Sequence, residues 1–227
     1  LSVNKPVGKS SYDVVRRVKK ILDFKKVGHG GTLDPFADGV LIILIGRGAT
    51  RQMNEILQKS KIHRAVLVLG NQRDTGDIEG QVVKEMKIPE ISDEMLKKTA
   101  DKFVGVYEQM PPQYSAKKVN GRPAYKYARK GIKVELKPKK VEIYKLVLKK
   151  IDDNKIEIQV ECSSGTYIRV LGEEIAETFG TVGYLEQLTR ESIGEYTLSN
   201  AADFDQLDQA LTDEKRILMN TEEVSIN

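Results

Sequence analysis

Val27-Gly28-His29-Gly30-Gly31-Thr32-Leu33-Asp34-Pro35 leads, a few residues on, into Val40-Leu41-Ile42-Ile43-Leu44-Ile45. The apolar run, bounded by Gly39 and Gly46, reads as a buried strand. The glycines ahead of it suit a loop that turns sharply and lets a ligand approach the backbone. Asp34 precedes a proline, which biases its backbone to an extended conformation and gives its carboxylate a defined place. Such a carboxylate can act as nucleophile or base. An Asx-type turn accounts for the same dipeptide. The glycines also resemble a phosphate-cradling nest, but no Gly-Lys-Ser/Thr completes a P-loop.

Working outward, Ser10-Ser11 can cap a helix whose positions Val14, Val15, Val18, Ile21 and Leu22 form one apolar stripe. Downstream, residues 49–57 read as helical. Ala65 to Leu69 and Gln81 to Val83 read as strands joined by a polar turn with Asp74, Gly76 and Asp77. Ser92 opens an acidic-first helix reaching about Phe103, and Pro123 and Gly131 bracket a short one. Ile156, Ile158, Val160 and Cys162 alternate as a half-buried strand, and a helix from about Ile168 to Phe179 is closed by Gly180. Strands and helices are mixed without the regular alternation of a doubly wound fold. The expectation is therefore an α+β domain, with a mixed, mostly antiparallel sheet flanked by helices. Residues 1–200 are expected to form one domain, with a basic segment at about 105–150 and an acidic extension over 201–227.

At 227 residues, 40% apolar and 31% charged, the chain can bury a real core. The run from Val40 to Ile45 is far short of the ~20 apolar residues of a membrane helix. Residues 1–6 lack the basic flank and apolar stretch of a secretory signal, so a cytoplasmic location is expected. Cys162 is the single cysteine, so no intrachain disulfide forms, and with two histidines it cannot complete a tetrahedral zinc set. The net charge of +4 hides an asymmetry. Residues 117–150 hold thirteen Lys or Arg against Glu135 and Glu142, whereas residues 191–227 hold nine acids against Lys215 and Arg216. A basic block interleaved with Tyr125, Tyr127 and Tyr144 suits a polyphosphate partner, with aromatic faces for bases. A solvated lysine-rich surface has the same composition. Asp74 and Asp77 could bind a metal or cap backbone N–H groups. Arg169, at a probable strand-to-helix junction, could pair with a buried carboxylate or a phosphate, or be plain surface.

Taken in order, these residues carry a resemblance. Lys5-Pro6, the segment Gly28 to Pro35 with Gly39-Val40-Leu41, and Leu69-Gly70 through Asp74-Thr75-Gly76-Asp77 to Gly80 resemble the TruB family of tRNA pseudouridine synthases. So do Pro111-Pro112-Gln113-Tyr114-Ser115-Ala116-Lys117-Lys118 with Gly121, Tyr127 to Gly131, Gly165-Thr166-Tyr167-Ile168-Arg169, and Leu185 to Arg190. The resemblance implies isomerisation of one uridine in the T-loop of tRNA (tRNA position 55), by a monomer, with no cofactor and no metal. It makes Asp34 the catalytic carboxylate, Arg169 its counter-charge and Asp77 the acid of the second motif. His29 would occupy the place the target base leaves, and Tyr167, Leu185 and Leu188 would lie near the base pocket. Lys5, Lys117 and Lys118 are expected on the substrate side. The family fold is a mixed-sheet catalytic domain, often followed by a small RNA-binding PUA domain, for which a full-length counterpart is not expected here.

One position departs from the family. His63 stands where a tyrosine normally stacks on the target base. If the imidazole takes that role with an ordinary titration near ~6.5, activity should fall as pH drops through that region. Two other classes stay open: a nucleotidyltransferase, which would want a His-x-Gly-His pattern that His29-Gly30-Gly31-Thr32 lacks, and a non-catalytic RNA-binding or tRNA-folding protein.

Overall fold

The computed structural model describes residues 1–51 and 53–212. The chain divides into two compact units, Leu1–Gln58 with Glu191–Asn227, and Lys59–Arg190.

The first unit is built on the apolar run. Strand Asp38–Ile45 is buried from Gly39 to Leu44 because apolar clusters cover both of its faces. Leu41 and Ile43 join Val3, Leu207, Leu211 and the stripe Val14, Val15, Val18 and Leu22 of helix Ser11–Leu22. Val40, Ile42 and Leu44, pointing the other way as strand geometry requires, meet Ile56 and Ile193. Strand Ser2–Lys5 pairs antiparallel with this run and parallel with Ala202–Asp203.

The expected glycine loop is here partly a strand. Val27–Gly30 pairs with Ile42 to Ile45, and the turn begins only at Gly31, whose φ is 98°. Gly30 serves packing, since a Cβ there would lie 2.9 Å from Ile56 Cγ2. Helix Ser11–Leu22 starts at a capping box: the Asp13 N–H donates to Ser10 Oγ at 3.2 Å, and the Ser10 N–H to Asp13 Oδ2 at 2.9 Å. The region expected helical over 49–57 holds two short helices, Gly46–Arg51 and Met53–Gln58.

The segment expected as an acidic extension packs into this unit as far as residue 212. Leu207 and Leu211 are fully buried, and Arg17 lies over the Phe204 ring while pairing with Asp205 and Asp208. Residues 213–227 of that expectation lie outside the described residues.

In the second unit, Gly105–Gln109, Lys139–Asp152, Lys155–Cys162 and Lys61–Leu69 follow one another as antiparallel neighbours. The 14-residue strand Lys139–Asp152 carries the second half of the basic block. A register shift between Ile143 and Lys145 keeps Val141, Ile143 and Leu146 buried while Lys140, Lys145, Lys149 and Lys150 stay exposed. Helix Asp93–Phe103 is capped by Ser92, as its sequence implies. The bracketed helix at Pro123 shrinks to Tyr125–Ala128, beside a small hairpin of Lys118–Val119 and Arg122–Pro123. Helix Ile168–Thr178 follows, then strand Gly183–Ile193, which straddles the boundary between the units. With the parallel pairing of Ser2–Lys5 and Ala202–Asp203 beside antiparallel ones, and with its helices, the molecule is α+β with a mixed sheet.

Candidate active site

In the first unit Asp34 is half-buried on the segment between strands Val27–Gly30 and Asp38–Ile45, and the chain on either side of it is anchored. Ahead of it, the Ser11 hydroxyl accepts from the Leu33 N–H at 2.8 Å and donates to the Leu33 carbonyl at 3.1 Å. Behind it, the Ala37 N–H donates to the Asp34 carbonyl at 3.2 Å, and the Gly8 N–H to the Pro35 carbonyl at 2.8 Å. Lys5 is fully buried, and its ammonium donates to the carbonyls of Pro6, Lys9 and Ala37. Lys5, expected on the substrate side, thus ties this segment together through its backbone.

In the second unit Arg169 sits at the start of helix Ile168–Thr178 and is only 4% exposed. Its Nη1 donates to the Thr75 carbonyl and its Nη2 to the Tyr114 carbonyl at 2.8 Å, while Nε lies 3.6 Å from Asp77 Oδ2. Arg169 thus joins two motifs that are far apart in sequence. Asp77 is buried and accepts from Thr75 Oγ1 at 2.7 Å and the Glu79 N–H at 3.1 Å. Its neighbour Gly76 has a φ of 73°, and a Cβ there would press on Glu173 at 3.3 Å. Burial pushes the Glu173 carboxyl up to about 7, against the opposing pulls of Arg169 and a hydrogen bond with Gln72. The backbone of Leu185 joins this group, its N–H donating to the Gly76 carbonyl at 3.0 Å.

Two residues before Arg169, Tyr167 is held by an amide not singled out by the sequence. Gln109, 1% exposed, accepts from the Tyr167 N–H at 2.8 Å and donates to the Tyr167 carbonyl at 3.1 Å. The same Gln109 Nε2 donates to the Tyr107 hydroxyl at 2.8 Å, which donates to Glu174 Oε2 at 3.1 Å.

His63 lies on strand Lys61–Leu69, 6% exposed, with its Nδ1 3.9 Å from the Cys162 sulfur. Burial, with the nearby charges of Arg190 and Lys61, lowers its pKa to about 3. The imidazole is therefore neutral throughout the range in which an ordinary histidine titrates. A pKa so lowered lies well below ~6.5, the titration on which the expected loss of activity is premised. Lys61 is itself lowered to about 8 by burial and by Arg190, and burial raises the Cys162 thiol to about 11.

His29 is half-buried on strand Val27–Gly30, opposite Ile43. Leu185 and Leu188 are buried. Lys118 is exposed, whereas the Lys117 ammonium donates to the Lys137 carbonyl at 2.8 Å. Among the described residues no group of three or more His, Cys, Asp or Glu is placed to hold a metal ion, and no helix is long and apolar enough to cross a membrane.

Two solved complexes contain chains of similar fold. A Cbf5-Nop10-Gar1 complex matches with a TM-score of 0.69 at 24% identity, over 92% of this chain and 53% of that one. An H/ACA RNP bound to a substrate RNA containing 2′-deoxyuridine gives 0.68 at 22%, over 92% and 52%. The model of the TruB family pseudouridylate synthase (N terminal domain) matches residues 19–168. The tRNA pseudouridine synthase B of Psychrobacter cryohalolentis is 44% identical over 201 residues, 86% of this chain and 56% of that protein. That of Bordetella avium is 41% identical over 226 residues, 99% and 92% of the two chains. The chain belongs to the TruB family. It spans 56% and 53% of the length of the two Psychrobacter relatives it matches.

Proposed function

We propose that this chain isomerises one uridine of the tRNA T-loop, at tRNA position 55, to pseudouridine in the cytoplasm, acting as a monomer. In that reaction the N1–C1′ bond breaks, the uracil turns, and C5 bonds to C1′. C5 loses a proton and N1 gains one, so nothing is oxidised and no group is transferred. Asp34 either attacks C1′ or takes a proton from C2′, and both routes need the ionised carboxylate. Arg169 is the counter-charge of that carboxylate, a role its guanidinium, always cationic, can fill. The neutral ring of His63 stacks on the turning base, in place of the family tyrosine. His29 fills the position the base vacates, and Asp77, Tyr167, Leu185 and Leu188 shape the pocket. Flipping the base costs on the order of a few kcal/mol, offset by phosphate contacts from the basic segment that includes Lys117 and Lys118.

The observation that carries this reading is the 41% identity to the Bordetella avium synthase across nearly the whole of both chains. The test is pseudouridine formation in a T-arm transcript. The wild-type chain should convert it, and Asp34→Asn, which keeps shape but loses the anionic oxygen, should bind the RNA and convert none. Turnover by the pure Asn variant would remove Asp34 from this role. A non-catalytic tRNA-folding protein, favoured only by His63 in place of tyrosine, would bind the transcript and leave it unmodified.

A further inference from the structure

We propose that Ser11 is a positioning residue of Asp34, setting the direction of its Cα–Cβ bond through the backbone of Leu33. The inference rests on Asp34 being the reacting group. Ser11 is the first residue of helix Ser11–Leu22, yet it does not cap that helix; Ser10 does. Its hydroxyl, 3% exposed, is committed instead to both polar groups of Leu33, which is itself buried. A hydroxyl has one proton to donate and two lone pairs, so it can close such a ring on a single residue.

The consequence is geometric. The Leu33 carbonyl belongs to the planar peptide unit that ends at the Asp34 nitrogen. Holding that carbonyl fixes the plane entering Asp34. The plane leaving it contains the Asp34 carbonyl, which the Ala37 N–H holds at 3.2 Å, and the following Pro35 disfavours a helical backbone at Asp34. With both planes set, the direction of the Asp34 Cα–Cβ bond is determined. Ser11 refers that direction to a helix packed in the core through Val14, Val15 and Val18. The Ala37 and Gly8 N–H groups act after Asp34 in the chain, and Ser11 acts immediately before it.

Single-turnover rate constants and RNA affinity, measured with the T-arm transcript, test this. A misplacement of about 1 Å costs on the order of 10²-fold in rate. Ser11→Ala should therefore react ~10²-fold more slowly while binding RNA as the wild type does. Ser11→Thr, which keeps the hydroxyl, should recover most of the rate. Asp13→Ala breaks the capping box of the same helix without touching Leu33, and should keep the wild-type rate. If Ser11→Ala does not fold, Ser11→Cys, a near-isostere with a weak donor, replaces it and should be slowed with unchanged affinity. Wild-type rates in Ser11→Ala or Ser11→Cys, or equal slowing by Asp13→Ala, would overturn the inference. Asp34→Asn separates the two failures. An inert Asn variant beside a fully active Ser11→Ala sinks the positioning role alone, whereas an active Asn variant sinks the reading beneath it.

Discussion

Asp34 and Arg169 are the two charged side chains on which the proposed chemistry depends, and their surroundings hold them by different means. The Asp34 segment hangs on a serine hydroxyl, backbone N–H groups and a lysine ammonium spent on carbonyls. Arg169 also donates to peptide carbonyls, of Thr75 and Tyr114, but it lies beside acids as well: Asp77 at 3.6 Å, and Glu173 one helical turn on, whose carboxyl burial raises to about 7. A hydroxyl and peptide groups do not titrate near neutrality, whereas a carboxyl raised to about 7 does. The first arrangement fixes direction at little sensitivity to pH. The second fixes charge, and brings the sensitivity of buried ionisable groups with it.

The comparison breaks most visibly at Arg169. Arg169→Lys keeps the charge but cannot span the Thr75 and Tyr114 carbonyls with a planar fork. Turnover should become barely detectable, and the urea unfolding free energy should fall by about 2–4 kcal/mol, since hydrogen bonds from a charged group contribute ~1.5–3 each. A Lys variant with normal turnover and stability would show that the fork geometry is irrelevant. Gln109→Leu should be next. It removes the amide that holds both polar groups of Tyr167, and leaving such groups unsatisfied costs ~1–3 kcal/mol. A turnover loss smaller than that of Arg169→Lys is expected, with RNA affinity retained. Equal stability of the Leu variant and wild type in urea would mean that Tyr167 finds other partners at no cost.

His63 extends the contrast to acid. Its folded pKa, about 3, lies below the ordinary 6.5, so the unfolded chain takes up the proton first. The stability this residue contributes is complete above ~6.5 and is lost as pH falls towards 3. Each pH unit in that window costs on the order of 1 kcal/mol. His63→Tyr should flatten the loss of stability between pH 6.5 and 5, while the rate profiles of the two proteins run parallel there. A wild-type rate that drops near 6.5 and is restored by the tyrosine would place a titrating imidazole at the base after all. Glu173 gives the smallest effect and the opposite sign. Its folded pKa is raised from 4.5, so its contribution is complete below ~4.5 and is lost as pH rises through about 7. Glu173→Gln should therefore gain stability relative to wild type in thermal melts above pH 7, with the gap closing below pH 4.5. A gap that does not change with pH would mean that Glu173 stays ionised throughout.

Much of the fold could be read directly. Ser92 before Asp93 and Glu94, and the alternation from Ile156 to Cys162, are local signals, and both elements form where expected. Strand Lys139–Asp152 was hidden by its own lysines: five apolar residues from Val141 to Leu148 alternate imperfectly because of the register shift after Ile143. Gly28-His29-Gly30 looked like a loop because glycine is a poor strand former, and pairing with Ile42 to Leu44 overrode that preference. Of the candidate site, Asp34, Asp77 and Arg169 were visible as motifs. Ser11 looked like one of two capping serines, and Gln109 gave no signal at all.

By itself, then, the sequence determined the elements with short-range signals, the family, and which charged groups are available, because caps, periodicity and motifs need only neighbours along the chain. Tertiary structure alone decided the partner of each polar group. The Ser11 hydroxyl meets Leu33, 22 residues away, and the Gln109 amide meets Tyr167, 58 residues away. It also decided that Lys5 and His63 are buried. A polar group's hydrogen bonds and its desolvation are set by what folding packs around it, and those neighbours lie far from it in sequence.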